Sequence, residues 1–286
     1  MIESTFLHLP SIGETTEMSL WQKGCVNWQT LMDSPGAFLP TAKVDKVLRA
    51  LDLSRSALSV GDLRYFQRTL GSANVWRMLP YVQESIAYLD IESTGTGFPP
   101  YAHSTSIAIS YKGQLYVEHE MGAKRRLLSD LHAEAKMWCT FSGLSFDIPF
   151  LRREFGLPFD GLHLDLRVWL GRQGHRGGLK KIQVEFSDIP TRSSMDIDGY
   201  DAVRLWRLHL QGVEGALETL MCYNAEDTVV LEALTEKAWQ KEILALSEIF
   251  ELSPRAPYSP PPTELKVHEE VYRRLRSDSI IHASPN

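Results

Sequence analysis

Two acidic residues separated by one residue, Asp90 and Glu92, are the first residues in this sequence whose types and spacing suit chemistry. In a strand they face the same side, whereas Leu89 and Ile91 face the other. Two like charges side by side repel each other, and a hard divalent cation with oxygen ligands converts that repulsion into binding energy. Taken alone, the pair is more typical of an exposed strand end with two solvated acids.

A third acid, Asp227, lies on a segment with helical periodicity. Its helical face also carries Tyr223, Val230 and Leu234, which places its carboxylate within an apolar stripe. A buried aspartate without a partner is costly. A metal ion shared with Asp90 would supply the partner, and a buried salt bridge or a helix cap is the alternative.

A fourth acid, Asp147, follows a short apolar run and precedes a predicted helix with Pro149 in its first turn. This position is typical of a helix N-cap, for which aspartate is a preferred residue. It also predicts a location near the same sheet edge as Asp90. A cap and a water-mediated metal contact are compatible with each other.

The elements that must position these acids are read from apolar periodicity. The pattern predicts strands at 86–91, 106–110, 115–118 and 138–141, and helices at 127–138, 148–155, 179–184, 201–210 and 214–241. Strands first and helices interleaved later indicate an α/β fold, with a mixed sheet flanked by helices.

The chain divides into three predicted parts. Residues 1–80 show helical patches and predict a small helical unit, which we call the leader. Residues 81–245 form the predicted catalytic domain. Residues 246–286 begin with a proline-rich linker and end in a charged tail. One last helix is predicted in the tail at 264–276, and we expect the tail to be solvated or weakly docked.

Composition excludes several classes of protein. The 286 residues are 43% hydrophobic and 23% charged, which is typical of a globular protein, and the net charge of −6 argues against a uniformly basic nucleic-acid coat. Three cysteines without a CxxC pair indicate a reducing compartment, and no signal peptide or membrane span is expected, so we predict a cytoplasmic protein. Gly95-x-Gly97 is followed by two prolines, so no nicotinamide or nucleotide cofactor is expected.

Basic residues are concentrated in one segment, although the net charge of the whole chain is negative. Residues 165–181 carry a net charge of +4 and contain four interspersed glycines. This composition predicts a flexible basic loop near the acids, and such a loop could contact the phosphate backbone of a nucleic acid. A solvated surface is the alternative. The leader segment 9–13 is similar to half of a helix-hairpin-helix, for which packing and nucleic-acid contact are both open.

The order of the acids carries a resemblance to a known family. Asp90-x-Glu92, then Asp147, then Tyr223 four positions before Asp227 resemble the DEDD (DnaQ-like) exonuclease superfamily, in its tyrosine-bearing DEDDy branch. The phrases LDIESTGTG, FSGLSFDIPFL, HLDL and YNAEDTVVLEAL are similar to the YprB-type ribonuclease-H-like family, over residues 81 to about 240. The resemblance implies a ribonuclease-H-like mixed sheet and a 3′-5′ exonuclease that hydrolyses DNA or RNA.

The resemblance also implies roles for individual residues. Two ions, Mg²⁺ or Mn²⁺, would be held by Asp90, Glu92, Asp147 and Asp227, and would activate the water and stabilise the leaving 3′ oxygen. Tyr223 would orient the attacking water. The substrate-binding residues expected from the motifs and the basic segment are Thr94, Gly95, Ser142, Phe146, Arg172, Arg176, Lys180 and Lys181.

The sequence departs from the family pattern at two positions. Ser93 stands where threonine is common, and Ser142 stands where asparagine is common. Neither removes a metal ligand, but both bear on how the terminal nucleotide is held. The alternatives to an exonuclease are a nucleic-acid-binding or regulatory module with little turnover, and a structure-specific endonuclease of the same superfamily.

Overall fold

A five-stranded mixed sheet forms the centre of the fold, in the order β3-β2-β1-β4-β5. The computed structural model describes residues 1–82, 84–189, 197–255 and 259–282. The strands are β1 (Ile86–Ser93), β2 (Ser104–Tyr111), β3 (Gln114–Glu118), β4 (Met137–Thr140) and β5 (Leu162–Asp165). The first three form an antiparallel meander, and β4 and β5 run parallel to β1. The predicted α/β architecture is therefore confirmed.

The helices fall into a leader group and a domain group. The α-helices of the leader are α1 (Glu14–Gln22), α2 (Trp28–Asp33), α3 (Pro35–Phe38), α4 (Thr41–Ser59), α5 (Leu63–Leu70) and α6 (Leu79–Val82). The later α-helices are α7 (Met121–Glu134), α8 (Asp147–Phe155), α9 (Leu166–Arg172), α10 (Leu179–Gln183), α11 (Gly199–Leu210), α12 (Ala216–Leu246) and α13 (Glu269–His282). No helix of the described residues combines the length and hydropathy needed to cross a bilayer.

The two faces of the sheet belong to different cores. Ile86 and Tyr88 of β1 pack in the core that includes α12, whereas Leu89 and Ile91 pack on the other face against α7 and α8. Strand side chains alternate between faces, so Asp90 and Glu92 share the α12 face. The long helix α12, with 31 residues, contacts both β1 and β2 across that face.

The leader shares its core with the sheet. The indole of Trp76 stacks on that of Trp169, with centroids 5.7 Å apart, and a buried ion pair joins Arg77 to Glu17 at 2.8 Å. Gln67 of α5 accepts a hydrogen bond from the backbone N–H of His163 at 2.9 Å, at the edge strand β5. The leader therefore covers the open edge of the sheet.

The structure corrects the prediction of a flexible basic loop at 165–181. Helix α9 occupies the start of this segment and α10 the end, and only residues 173–178 lack a helix. Helix α9 forms because Leu166, Trp169 and Leu170 bury one face and Asp165 caps its first turn. Strand β5 and helix α9 were both missing from the sequence prediction.

The prediction of a solvated or weakly docked C-terminal tail is also wrong. Helix α13 buries Val271 and Leu275 against α11 and α12. Residues 251–255 and 259–268 have no regular secondary structure, in keeping with the predicted linker. Pro257 of that linker lies outside the described residues, as does the segment 190–196.

Candidate active site

Three carboxylates meet where β1 passes under α12. Oxygen atoms of Asp90, Glu92 and Asp227 all lie within 4.8 Å of one another. Asp227 is buried, while Asp90 and Glu92 are partly buried. The register of β1 against β2 shifts between Glu92 and Ser93, so an irregularity bends the strand at this position.

Asp147 stands close enough to the cluster to interact with it electrostatically. Burial raises the pKa of its carboxyl well above the ordinary value, and repulsion from Asp90 and then Asp165 adds to the shift. Burial likewise raises the pKa of Glu92, with further contributions from Asp90 and Asp147. Asp147 is the first residue of α8, and Phe146 takes the N-cap position, so the N-cap interpretation of Asp147 is wrong.

An amide that the sequence prediction missed supports Asp90. The side-chain N–H of Asn224 donates to Asp90 Oδ2 at 2.7 Å, and Asn224 Oδ1 accepts from the Ser106 hydroxyl at 2.8 Å. Asn224 is completely buried. Its position three residues before Asp227 on the same helix is the signal that would have revealed it.

Tyr223 and Lys180 form a second contact beside the acids. Lys180 Nζ lies 5.0 Å from the centre of the Tyr223 ring, and its charge lowers the pKa of Glu92. Tyr223 is buried and faces the core shared by α11 and α12. Lys180 thus lies near the acids on α10, the helix predicted at 179–184, and its role in substrate binding stays a prediction.

Other predicted basic residues lie elsewhere. Arg172 donates to the carbonyl oxygen of Ala73 and to the side chains of Asn74 and Glu14, so its guanidinium joins α9 to the leader. Arg172 is nevertheless exposed, and its role in substrate binding stays a prediction. Arg176 and Lys181 are exposed on the same segment as Lys180.

The predicted substrate-contacting residues of the first motif form a closed turn after β1. Thr94 N–H donates to the His103 carbonyl at 3.0 Å, and the Ser93 hydroxyl donates to the Gly95 carbonyl at 2.7 Å. These bonds hold Thr94 and Gly95 directly beyond Glu92. The serine that departs from the family pattern at position 93 therefore serves the turn itself.

The second motif forms the loop between β4 and α8. Ser142 adopts a left-handed backbone with φ of 68°, a conformation that asparagine and glycine tolerate better than serine. Gly143 is required, because a Cβ there would lie 2.1 Å from Thr140 Oγ1. The Phe146 ring packs against Phe150, with centroids 5.5 Å apart, and so faces the core on its α8 side.

This donor set suits a hard divalent cation. The clustered ligands are carboxylate oxygens, which Mg²⁺ and Mn²⁺ prefer. Burial and then repulsion among the carboxylates raise the pKa values of Glu92 and Asp147, and the charge of Lys180 offsets only part of the shift at Glu92. A bound cation would compensate for this negative charge.

Comparison with known proteins gives the family. A family model described as the RNase H superfamily matches residues 87–239, which is more than half of the chain. The chain belongs to the RNase H superfamily. No curated protein matches it significantly. All four acids and Tyr223 lie within the matched region, and membership indicates a nuclease that acts on nucleic acid with divalent metal ions.

Proposed function

We propose that this RNase H superfamily protein is a 3′-5′ exonuclease of DNA or RNA, of the tyrosine-bearing DEDDy type and similar to the YprB-type family. The observation that carries the proposal is the meeting of Asp90, Glu92 and Asp227 oxygens within 4.8 Å. Asp147 and Tyr223 complete the ordered set that distinguishes this branch.

Each residue of the candidate site has a role in this proposal. Asp90, Glu92, Asp147 and Asp227 would hold two ions, Mg²⁺ or Mn²⁺, which when bound activate a water and stabilise the leaving oxygen. Asn224 fixes the orientation of Asp90 through its hydrogen bond. Tyr223 orients the attacking water, and Lys180 holds the tyrosine ring from one side.

Substrate contacts come from the two motif loops and the α10 segment. Thr94 and Gly95 lie directly beyond Glu92, and Ser142 and Phe146 lie directly before Asp147. The exposed Arg176 and Lys181 would contact phosphates of the strand that leads to the site. These contacts are sequence-independent, as an exonuclease requires.

The test is digestion of oligonucleotides labelled at one end, in DNA and in RNA, with Mg²⁺ or Mn²⁺. We expect mononucleotides from the 3′ end only, and their loss in Asp227→Asn. Asp130→Asn is the matched control, because it makes the same change at an exposed residue of α7. A wild-type protein that leaves both nucleic acids intact with either metal overturns the proposal.

An endonuclease of the same superfamily is the competing function. A circular or 3′-blocked substrate separates the two, because an exonuclease of this kind requires a free 3′ end. Cleavage of the circle would replace our proposal with the endonuclease. Binding without cleavage, unchanged by Asp90→Ala, would indicate the nucleic-acid-binding module.

A further inference from the structure

We infer that Asp165 is a positioning residue, which sets the location of the Asp147 carboxylate by holding the loop between β4 and α8. The inference rests on the proposed function, because it concerns the same metal site. Asp165 belongs to the HLDL phrase at the end of β5, and it contacts neither the substrate loops beyond β1 nor the clustered oxygens of the acids.

Both oxygens of the Asp165 carboxylate accept hydrogen bonds from backbone amides. Asp165 is 2% exposed. Its Oδ1 accepts from the N–H groups of Ser142 and Arg167, both at 3.0 Å, and its Oδ2 accepts from the N–H of Leu144 at 3.1 Å. Bonds from amides to an ionised carboxylate are stronger than bonds between neutral groups. Asp165 therefore joins β5, the start of α9 and the loop.

The loop needs this restraint because its internal bonds, from the N–H groups of Ser145 and Ile148 to the carbonyls of Ser142 and Gly143, do not tie it to β5. Ser142 has a left-handed backbone, and Leu144 is 40% exposed, so neither packing nor backbone preference holds the chain here. Phe146, at the N-cap of α8, makes no side-chain capping bond. The Gly143 N–H also donates to Thr140 Oγ1 at 3.1 Å, which ties the loop to the end of β4.

A role as a further metal ligand does not fit these contacts. Both oxygens of Asp165 already accept from N–H donors, and a cation would compete with those donors for the same lone pairs. Its charge also repels Asp147, which adds to the raised pKa of that carboxyl. Asp165 therefore holds the loop that positions Asp147, while its negative charge disfavours the ionised form of the Asp147 carboxyl.

Asp165→Asn tests this role with a minimal change. Asparagine keeps an oxygen for Ser142 and Arg167 but turns an N–H₂ group toward the N–H of Leu144. The matched control is Asp62→Asn, since Asp62 caps α5 by accepting from Tyr65 N–H at 3.1 Å, away from the acids. The measurements are the melting temperature, its rise with Mn²⁺, the Mn²⁺ dependence of turnover and the KM for a labelled oligonucleotide.

We expect the half-saturating Mn²⁺ concentration to rise about tenfold or more in Asp165→Asn, in both turnover and melting temperature, as is usual for residues that orient metal ligands. The KM for the oligonucleotide should change less than the Mn²⁺ requirement, because asparagine keeps the bond to the Ser142 N–H and the turn at Thr94 and Gly95 is untouched. Asp62→Asn leaves both the melting temperature and the Mn²⁺ requirement nearly unchanged, because asparagine caps a helix about as well as aspartate. Excess Mn²⁺ restores turnover in Asp165→Asn.

An unchanged Mn²⁺ requirement in Asp165→Asn overturns the inference. If that variant does not fold, Asp165→Ser replaces it, because serine is a good N-cap for α9 and still loses the bond to Leu144. A wild-type protein that Mn²⁺ stabilises but that cleaves nothing refutes the exonuclease, while the Mn²⁺ shift still decides the role of Asp165. A wild-type protein that Mn²⁺ does not stabilise refutes both.

Discussion

The substitution Glu92→Gln removes one charge from the acidic cluster while keeping its size and shape. Oxygens of Asp90 and Asp227 lie within 4.8 Å of an oxygen of Glu92, and Asp147 also raises its pKa. The substitution should therefore abolish turnover and, in the absence of metal, stabilise the fold. A gain in stability on loss of this charge would indicate that the carboxylates of the site are balanced by a bound cation.

The magnitude follows from the distances. Two unit charges 4.8 Å apart repel by about 3.5 kcal/mol at an effective dielectric constant of about 20. The wild-type protein relieves part of this cost by binding a proton, and the attraction of Lys180 for Glu92 offsets another part. We expect a net gain of about 2 kcal/mol in the free energy of unfolding at about pH 8, or roughly 5 °C in melting temperature.

The gain depends on pH and on metal. The folded-state pKa of Glu92 is raised, so the folded protein holds this proton more tightly, and wild-type stability falls as pH rises from about 4.3 through the folded value. Below about pH 4 the carboxyl is protonated in both states, and the difference between variant and wild type disappears. Mg²⁺ should stabilise the wild type more than the variant and so reduce or reverse the difference.

Chemical denaturation in chelator, at about pH 8 and about pH 4, measures these differences. Glu120→Gln, the same change at an exposed residue before α7, is the control. Equal or lower stability of Glu92→Gln at the higher pH would refute the reasoning. So would a gain of the same size at both pH values.

Three further substitutions test the surroundings of the acids. Asn224→Leu removes two buried hydrogen bonds, and should lower the free energy of unfolding by about 2 kcal/mol and turnover by about tenfold or more, measured by urea denaturation and initial rates. Gly143→Ala places a Cβ 2.1 Å from Thr140 Oγ1, and should cost about 2 kcal/mol in the same denaturation assay. Lys180→Met removes the cation beside Tyr223 and should lower kcat more than it raises KM in steady-state kinetics.

Matched changes nearby separate these effects from general damage. A Cβ at Gly161 comes no closer than 3.6 Å to another atom, so Gly161→Ala should leave stability nearly unchanged. Lys181→Met should raise KM and weaken its salt dependence while kcat stays constant. Equal losses in either pair would contradict the geometric argument.

Sequence periodicity was most informative for elements whose two faces have different surroundings. Strand β1 alternates between two cores and was predicted, whereas all four residues of β5 are buried and give no alternation. The glycines after α9 suggested a loop and concealed the helix before them. Strand β4 is equally short and buried but was predicted from its apolar residues, whereas β5 carries His163 and Asp165 among its four residues and was missed.

The acids were predictable because each lies in a short sequence motif, but the partners of the residues around them were not. Asn224 carries no charge, and its bond to Asp90 spans 134 residues. Arg172 was expected to bind substrate because it is basic, yet Glu14 of the leader pairs with it across 158 residues. Spacing along α12 places Asn224 near Asp227, but no spacing pattern identifies Asp90 as the partner of Asn224 or Glu14 as the partner of Arg172.

The stacking of Trp76 has a consequence for how the chain folds during synthesis. Its partner rings, Trp169 and Trp239, lie roughly 90 and 160 residues later in the chain. The leader leaves the ribosome with this apolar side chain uncovered, and it stays so until most of the protein has been made. Nascent chains that stall before Trp169 should therefore bind chaperones and be cut readily by proteases within the leader.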